Sequence, residues 1–353
     1  MENTVNISSI DLINADCLDF IQTLPENCID LIVTDPPYFK VKPNGWDNQW
    51  QGDEDYLRWL DMCLAEFWRV LKPNGSIYLF AGHRLASDIE IMMRERFKIL
   101  NHIIWAKPSG RWNGCNKESL RTYFPATERI LFAEHYQGPY RPKSDGFAEK
   151  TNELKKHIFT PLISYFRDAR EALGVSSKQI AEATGKKNMT SHWFGVSQWQ
   201  LPNEVDYHKL QNLFNQIATE RHRDQLLEKP HHQLVATWHS LNRKYAELLE
   251  EYKSLRRHFT VTAAVPYTDV WTHKPVQFYP GKHPCEKPAD MLRQIISASS
   301  RHGDVVADFF MGSGSTIKAA LELGRRAIGV ELEKERFDQT VDEVRKIAVR
   351  LDP

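Results

Sequence analysis

Along the first 135 residues, short β-branched apolar runs alternate with longer stretches whose apolar positions recur every three or four residues. The runs at residues 11–14, 29–34, 76–80, 102–106 and 129–133 predict strands. Between them, Leu57, Leu60, Leu64, Phe67, Val70 and Leu71 fall at helical spacing over residues 56–71, and "KPNG" supplies a proline and glycine exit. Residues 85–96 read as another helix. Past about residue 140 the strand signal fades, to return at residues 305–309 and 326–331 on either side of a further helix. Strands alternating with helices predict an α/β fold with a mostly parallel, Rossmann-like sheet. That sheet has to be assembled from both ends of the chain, residues 1–140 and 265–353, around a mostly helical insertion at 141–264.

The insertion has patterns of its own. "SYFRDAREALGVSSKQIAEATGKKNMTSHWFGVSQWQLP" reads as a helix-turn-helix unit: Ser176 or Ser177 caps a helix, Ala181 packs closely, Gly185 turns, and a second helix runs toward Trp193. Lys186, Lys187, Asn188, Thr190, Ser191 and His192 would reach DNA from it. The spacing after Gly185 departs from the usual repressor pattern, so a purely structural helical pair is the alternative. Further on, Leu234, Trp238, Leu241, Tyr245, Leu248, Tyr252 and Leu255 alternate at four and three residues, a heptad seam. It would pair either across a homodimer or within one chain, and its shortness favours the latter.

Charge adds one distinction. The 353 residues carry 46 Lys and Arg against 46 Asp and Glu, yet residues 141–260 hold 19 against 14, which makes the insertion the better polyanion contact. Cys17, Cys28, Cys63, Cys115 and Cys285 are scattered without C-x-x-C spacing, which argues against a zinc site and a disulfide framework and for reduced thiols in a cytoplasmic protein. No stretch approaches the roughly 20 apolar residues of a membrane span, and the polar start is no signal peptide.

Two motifs carry chemistry. In "IDLIVTDPPYFKVKPNGWDNQW" the strand ends at Asp35, where open α/β sheets bind ligands, and Pro36, Pro37 and Tyr38 follow. The prolines stiffen a row of carbonyl acceptors between the carboxylate and an aromatic ring, which suits a planar heterocycle bearing an amino group. In "VVADFFMGSGSTIKAALELGRRAIGVELEKERF" a strand ends at Asp308, a turn carries Gly312 and Gly314, a helix opens near Thr316, and the next strand ends at Glu331. Small residues at a helix's amino end with an acid after the following strand suit an adenosine, the acid taking both ribose hydroxyls. The G-x-G spacing and the lack of G-K-[ST] disfavour a phosphate cradle. S-adenosylmethionine fits, and no cluster suggests a metal.

Together these motifs resemble the amino-methyltransferases of DNA, which methylate an exocyclic base nitrogen with a D-P-P-Y or S-P-P-Y motif. "DFFMGSGST" resembles their methionine-pocket motif, "HPCEKP" at residues 283–288 the segment before it, and "INADCLDF" the segment before the catalytic strand. Catalytic motif first and cofactor motif last marks the family's β group. The resemblance implies catalysis by Asp35, Pro36, Pro37 and Tyr38, with the carboxylate and the Pro36 carbonyl accepting the amino hydrogens. It further implies a cofactor pocket shaped by Asp308, Phe310, Gly312 and Gly314, with Glu331 on the ribose, Asp16 and Cys17 on the adenine, and Lys287 nearby. D-P-P-Y leans to adenine N6. Cytosine N4, an RNA substrate, or an inactive DNA-binding regulator on the same fold are the alternatives.

The target nitrogen is paired inside a duplex, so the base must be flipped out or single-stranded. Two polar, aromatic loops suit a grip on the backbone, with Lys40, Lys42, Trp46 and Trp50 in one and Lys107, Arg111, Trp112, Lys117 and Arg121 in the other. Much of the chain is similar to the promiscuous adenine methyltransferases of enterobacterial prophages, which implies low sequence specificity.

Overall fold

A computed structural model describes residues 4–39, 50–110, 116–135, 147–196, 199–261, 268–279, 282 and 285–351. The chain divides into two compact units, residues 1–140 with 256–353, and residues 141–255. The second boundary falls earlier than the sequence pattern placed it. Arg257 explains why residues 256–261 belong to the first unit: its guanidinium donates to Glu134 Oε2 at 2.8 Å, both side chains are buried, and it lies 5.3 Å above the Phe132 ring.

The first unit is built on β1 (Thr4–Ile7), β2 (Ile10–Asn14), β3 (Ile29–Thr34), β4 (Leu71–Ala81), β5 (Phe97–Ala106), β6 (Thr127–His135), β7 (Val270–Trp271), β8 (Val305–Asp308) and β9 (Arg326–Glu331). They form a single sheet in the order β1-β2-β9-β8-β3-β4-β6-β5-β7. The five strands from β2 to β4 run parallel, and β6 is antiparallel to both neighbours. The two late strands, β8 and β9, are thus slotted between β2 and β3, so the sheet is indeed woven from both ends of the chain. From β8 the chain moves outward to β9, and from β3 outward the other way to β4. The gap between β8 and β3 is therefore a topological switch point, where the carboxyl ends of parallel strands leave a crevice.

Strand alternation sorts the apolar side chains onto two faces. Leu31, Val33, Tyr78, Phe80, Ile130, Phe132 and Val306 pack with α9 (Ala289–Ser299), α10 (Ser315–Glu322) and α11 (Lys334–Leu351). On the opposite face Ile32, Ile77, Leu79, Leu131 and Ala307 pack with α1 (Cys17–Ile21), α2 (Asp53–Val70) and α3 (Ala86–Met93). Both faces of β3 are covered, which accounts for its nearly continuous apolar run. The "KPNG" stretch after α2 is a bulge at the start of β4: the register with β3 jumps from Ile29↔Leu71 to Leu31↔Ser76.

The second unit is helical, with α4 (Phe147–Leu173), α5 (Ser177–Thr184), α6 (Thr190–Phe194), α7 (Glu204–Glu220) and α8 (His231–Ser254) around a core of its own that includes Phe166, Trp193, Phe194, Trp199, Tyr207 and Phe214. Ser176 caps α5 in a reciprocal box with Gln179, and Gly185 ends it in the left-handed region at φ 76°. The helix that should read DNA is short, however. α6 spans five residues, and Thr190, Trp193 and Phe194 are buried in it. Lys186 bonds Asp206, a buried acid, at 2.5 Å. It serves the unit's own electrostatics there, whereas Lys187 and Asn188 stand exposed. The heptad seam is used within the chain: Leu234 is buried, and Trp238, Leu241, Tyr245 and Leu248 pack on the same core, with α8 lying against α4. Trp193→Ala should therefore cost about 3–5 kcal/mol of the second unit's stability. Denaturant unfolding followed by the circular dichroism of the helices would measure it, and an unchanged midpoint would contradict the packing.

Candidate active site

The carboxyl ends of β3 and β8 meet at the switch point and are bonded there. Thr34 Oγ1 donates to Asp308 Oδ1 at 2.9 Å and accepts from the Phe309 amide at 3.2 Å, and the Phe310 amide also donates to Asp308 Oδ1. Asp35 follows Thr34, and the glycine turn follows Asp308. Both open on one cavity of about 390 Å³, within the usual range for small-ligand sites.

The first wall of that cavity is Asp35, Pro36, Pro37 and Tyr38. The Lys287 ammonium is hydrogen-bonded to Asp35 Oδ2 and lies 3.6 Å from Glu128 Oε2, while Glu128 Oε1 is held by Lys107. Tyr38 donates to Glu128 Oε2 at 3.5 Å, its ring 5.6 Å from the Lys287 ammonium. Asp35 Oδ1 is buried and takes no hydrogen bond. Burial pushes the Asp35 carboxyl above the ordinary carboxylate value, with Lys287 pulling against it, Glu128 adding to it, and the nearby Tyr38 hydroxyl lowering it as a weaker hydrogen-bond donor. Burial works to lower the Lys287 ammonium, but the carboxylates of Asp35 and Glu128 outweigh it and hold the group above ordinary lysine.

The second wall is the segment after β8 together with the end of β9. Glu331 accepts from the Gly312 amide at 2.9 Å through one oxygen and from the Glu333 amide at 2.8 Å through the other. Burial raises its carboxyl, and these amides draw it back. Burial likewise pushes Asp308 up to about 6, against hydrogen bonds from Thr316 and Thr34. Gly312 lines the cavity with a φ of 50°. Gly314 is absent from the lining. It needs no side chain because its φ is 67° and a Cβ would sit 2.4 Å from Thr340 Cγ2 on α11. The bare Cα there makes the turn and lets α11 pack closely.

Asp16 and Cys17 lie on the rim. Asp16 caps α1, accepting from the Leu18 amide at 2.8 Å, so it orders its loop as well as lining the cavity. Cys17 Sγ sits 4.0 Å from Cys63 Sγ; with Cys28 and Cys285 they are free thiols, and Cys115 lies outside the described residues. Phe310 packs on Trp59, which packs on Trp50.

Several residues have partners that the sequence did not show. Lys287, set near the cofactor, lines the cavity, and its ammonium binds Asp35. Lys107 was set on DNA, and it is part of the same ion network, 4.7 Å from the Trp105 ring. Trp50 is buried, an anchor of the wall. Lys40, Lys42, Trp46, Arg111, Trp112, His283 and Pro284 lie outside the described residues, while Lys117 and Arg121 are exposed. Glu128 was missed. It shares a face of β6 with the buried Ile130 and Phe132, so an acid in core register was the available signal. Trp59, one helical turn from Tyr56 in α2, gave no such signal.

The family model described as DNA methylase, which covers N6 and N4 enzymes, matches residues 29–342. The chain belongs to that family, and is a DNA methyltransferase dependent on S-adenosylmethionine. It is 23% identical to the type II methyltransferase M2.DpnII of Streptococcus pneumoniae over 94% of this chain and 87% of that protein. It is 24% identical to the DNA adenine methyltransferase YhdJ of Escherichia coli (strain K12) over 92% and 79%. The solved PvuII DNA methyltransferase, specific for cytosine N4, shares the fold with a TM-score of 0.51 at 13% identity, covering 99% of this chain and 96% of that one. Among the described residues no group of His, Cys, Asp and Glu could hold a metal ion, and no helix is long and apolar enough to cross a membrane.

The cavity fits S-adenosylmethionine. Its lining combines the acids Asp308 and Glu331, the rings of Trp50, Trp59 and Phe310, and the small residues Gly312, Ser313 and Ser315. Glu331→Ala should weaken S-adenosylmethionine binding by about 1.5–3 kcal/mol, the worth of hydrogen bonds to a charged group. An unchanged calorimetric Kd would remove Glu331 from the site. Asp308 also makes stability depend on pH. Its carboxyl is raised from 3.8 to about 6, so its contribution is complete below the lower value and is lost as pH rises through the upper one. Urea unfolding across that window should show a stability slope that Asp308→Asn reduces, and an unchanged slope would contradict it.

Proposed function

We propose that this methyltransferase modifies adenine N6 in DNA, with little sequence preference. The observation that carries the reading is Asp35: a half-buried carboxylate on the cavity wall, one oxygen held by Lys287 and the other, Oδ1, buried without a partner. An exocyclic amino group is a poor nucleophile because its lone pair is delocalised into the ring. An acceptor at Oδ1, with the Pro36 carbonyl as a second, would draw on both amino hydrogens and favour the pyramidal nitrogen. That stabilises the transition state more than the bound base. Tyr38 offers its ring to the base plane. S-adenosylmethionine supplies the methyl group on a positively charged sulfur, and Glu331, Gly312, Asp308 and Phe310 would hold it in the cavity that Asp35 also lines.

Adenine is favoured by the D-P-P-Y motif and by the relative named as an adenine methyltransferase. Low specificity is favoured by the second unit: the helix expected to read bases has five residues, its aromatic rings are in the core, and Lys186 is bound to Asp206. Phosphate contacts give affinity without sequence information, whereas discrimination needs several side chains against base edges. The resemblance to prophage enzymes agrees with broad modification of DNA in the cytoplasm.

Asp35→Ala should abolish methyl transfer and leave S-adenosylmethionine binding in place; loss of both together would contradict the division of roles. Nucleoside analysis of DNA methylated with labelled cofactor should find N6-methyladenine, and N4-methylcytosine would overturn the base assignment. Mapping on a plasmid should find the mark in many contexts. Confinement to one short motif at high enzyme excess would show a true recognition site.

A further inference from the structure

Four charges alternate along one chain of contacts in the first unit. Asp35, at the end of β3, meets Lys287; Lys287 meets Glu128 on β6; Glu128 meets Lys107 at the end of β5. All are largely removed from solvent, Lys287 most completely, with 8% of its side chain exposed. The Lys287 ammonium is also 3.3 Å from the Cys285 carbonyl and 5.0 Å from the Phe80 ring, so it is fixed from several sides. A lysine this buried, 252 residues from its partner in sequence, has no packing need for a charge. An apolar side chain would fill the same space without desolvating an ammonium.

We propose that Lys287 is the positioning residue of the methyl-transfer site: by holding Oδ2 it keeps Asp35 ionised and leaves Oδ1 as the acceptor offered to the target amino group, and Glu128 moderates that hold. This rests on the reading of Asp35 given above and adds how its charge is maintained. A carboxyl in this desolvated wall would otherwise take up a proton and present a donor where an acceptor is needed. The groups that face it are Lys287 and Cys285 from the segment before α9, Tyr38 from its own strand's exit, Glu128 from β6 with Lys107 behind it, and Asp308 from β8. Lys287 is the cation among them that touches Asp35. Glu128 acts twice, repelling the Asp35 charge and sharing the ammonium.

The two neighbours must therefore act in opposite directions. Transfer rises with pH as Asp35 ionises. Lys287→Met should move that acid limb to higher pH and slow transfer at neutral pH by roughly tenfold or more, since each displaced unit of protonation is tenfold. Glu128→Gln should move the limb to lower pH. Lys287→Arg, which keeps the charge, should restore the limb toward wild type. The S-adenosylmethionine Kd should stay near the wild-type value in all three, which also reports that the variants fold. Isotope-edited infrared titration of the Asp35 carboxyl, identified by its loss in Asp35→Asn, should show the same opposed displacements without any turnover. That readout separates the two ideas. A wild-type enzyme that transferred no methyl to DNA would sink the functional reading, while the infrared titration would still test the coupling. Acid limbs and carboxyl titrations that coincide in wild type, Lys287→Met and Glu128→Gln would overturn the proposal.

Discussion

The bond between Thr34 and Asp308 joins two strands that come from opposite ends of the chain, at the edge where both carry chemistry. Everything that makes the site follows from β3 and β8 being neighbours in parallel register, Leu31 beside Val306 and Ile32 beside Ala307. Because the strands end level, the carboxylate that follows one and the turn that follows the other share a cavity. Their sequence separation is irrelevant to the chemistry once the sheet has formed.

A site of this kind concentrates buried acids, and their charges have to be managed. Asp308 and Glu331 use backbone amides and hydroxyls, donors that fix a carboxylate without adding a mobile charge. Asp35 is not satisfied in full that way, and in the proposed role it should not be, because an acceptor meant for a substrate has to stay open. An ammonium on one oxygen resolves the conflict, since it supports the charge while leaving the other oxygen unbonded. Glu128 and Lys107 extend the alternation toward the sheet's edge, so that the network carries equal numbers of each sign. A buried charge with no partner would cost several kcal/mol.

Much of this was legible in the sequence. The β-branched run ending at Asp35 and the apolar run ending at Asp308 announced strands with acids at their tips, and the loss and return of strand signal announced a sheet split by an insertion. The first strand, β1, and the two-residue β7 were not visible, because edge strands this short bury too little to impose a pattern. The ion network was invisible for another reason. The core register of Glu128 on β6 marks an unusual acid, but neither it nor Lys107 and Lys287 reveals a partner until β5, β6 and the segment before α9 are brought together. In the second unit a capped helix, a glycine turn and two lysines suit either a reading head or a structural helical pair, and what the sequence pattern did not show is that Trp193 and Phe194 commit the second helix to the core.

The central claim is that Asp35 Oδ1 is the acceptor for the amino group to be methylated. A crystal structure of the enzyme with a non-reactive analogue of S-adenosylmethionine and an oligonucleotide carrying an extrahelical adenine tests it most directly. The account requires N6 within hydrogen-bond distance of Oδ1, about 2.7–3.2 Å, with Lys287 still on Oδ2. An adenine bound with its amino group away from Asp35, and Oδ1 still without a partner, would contradict it.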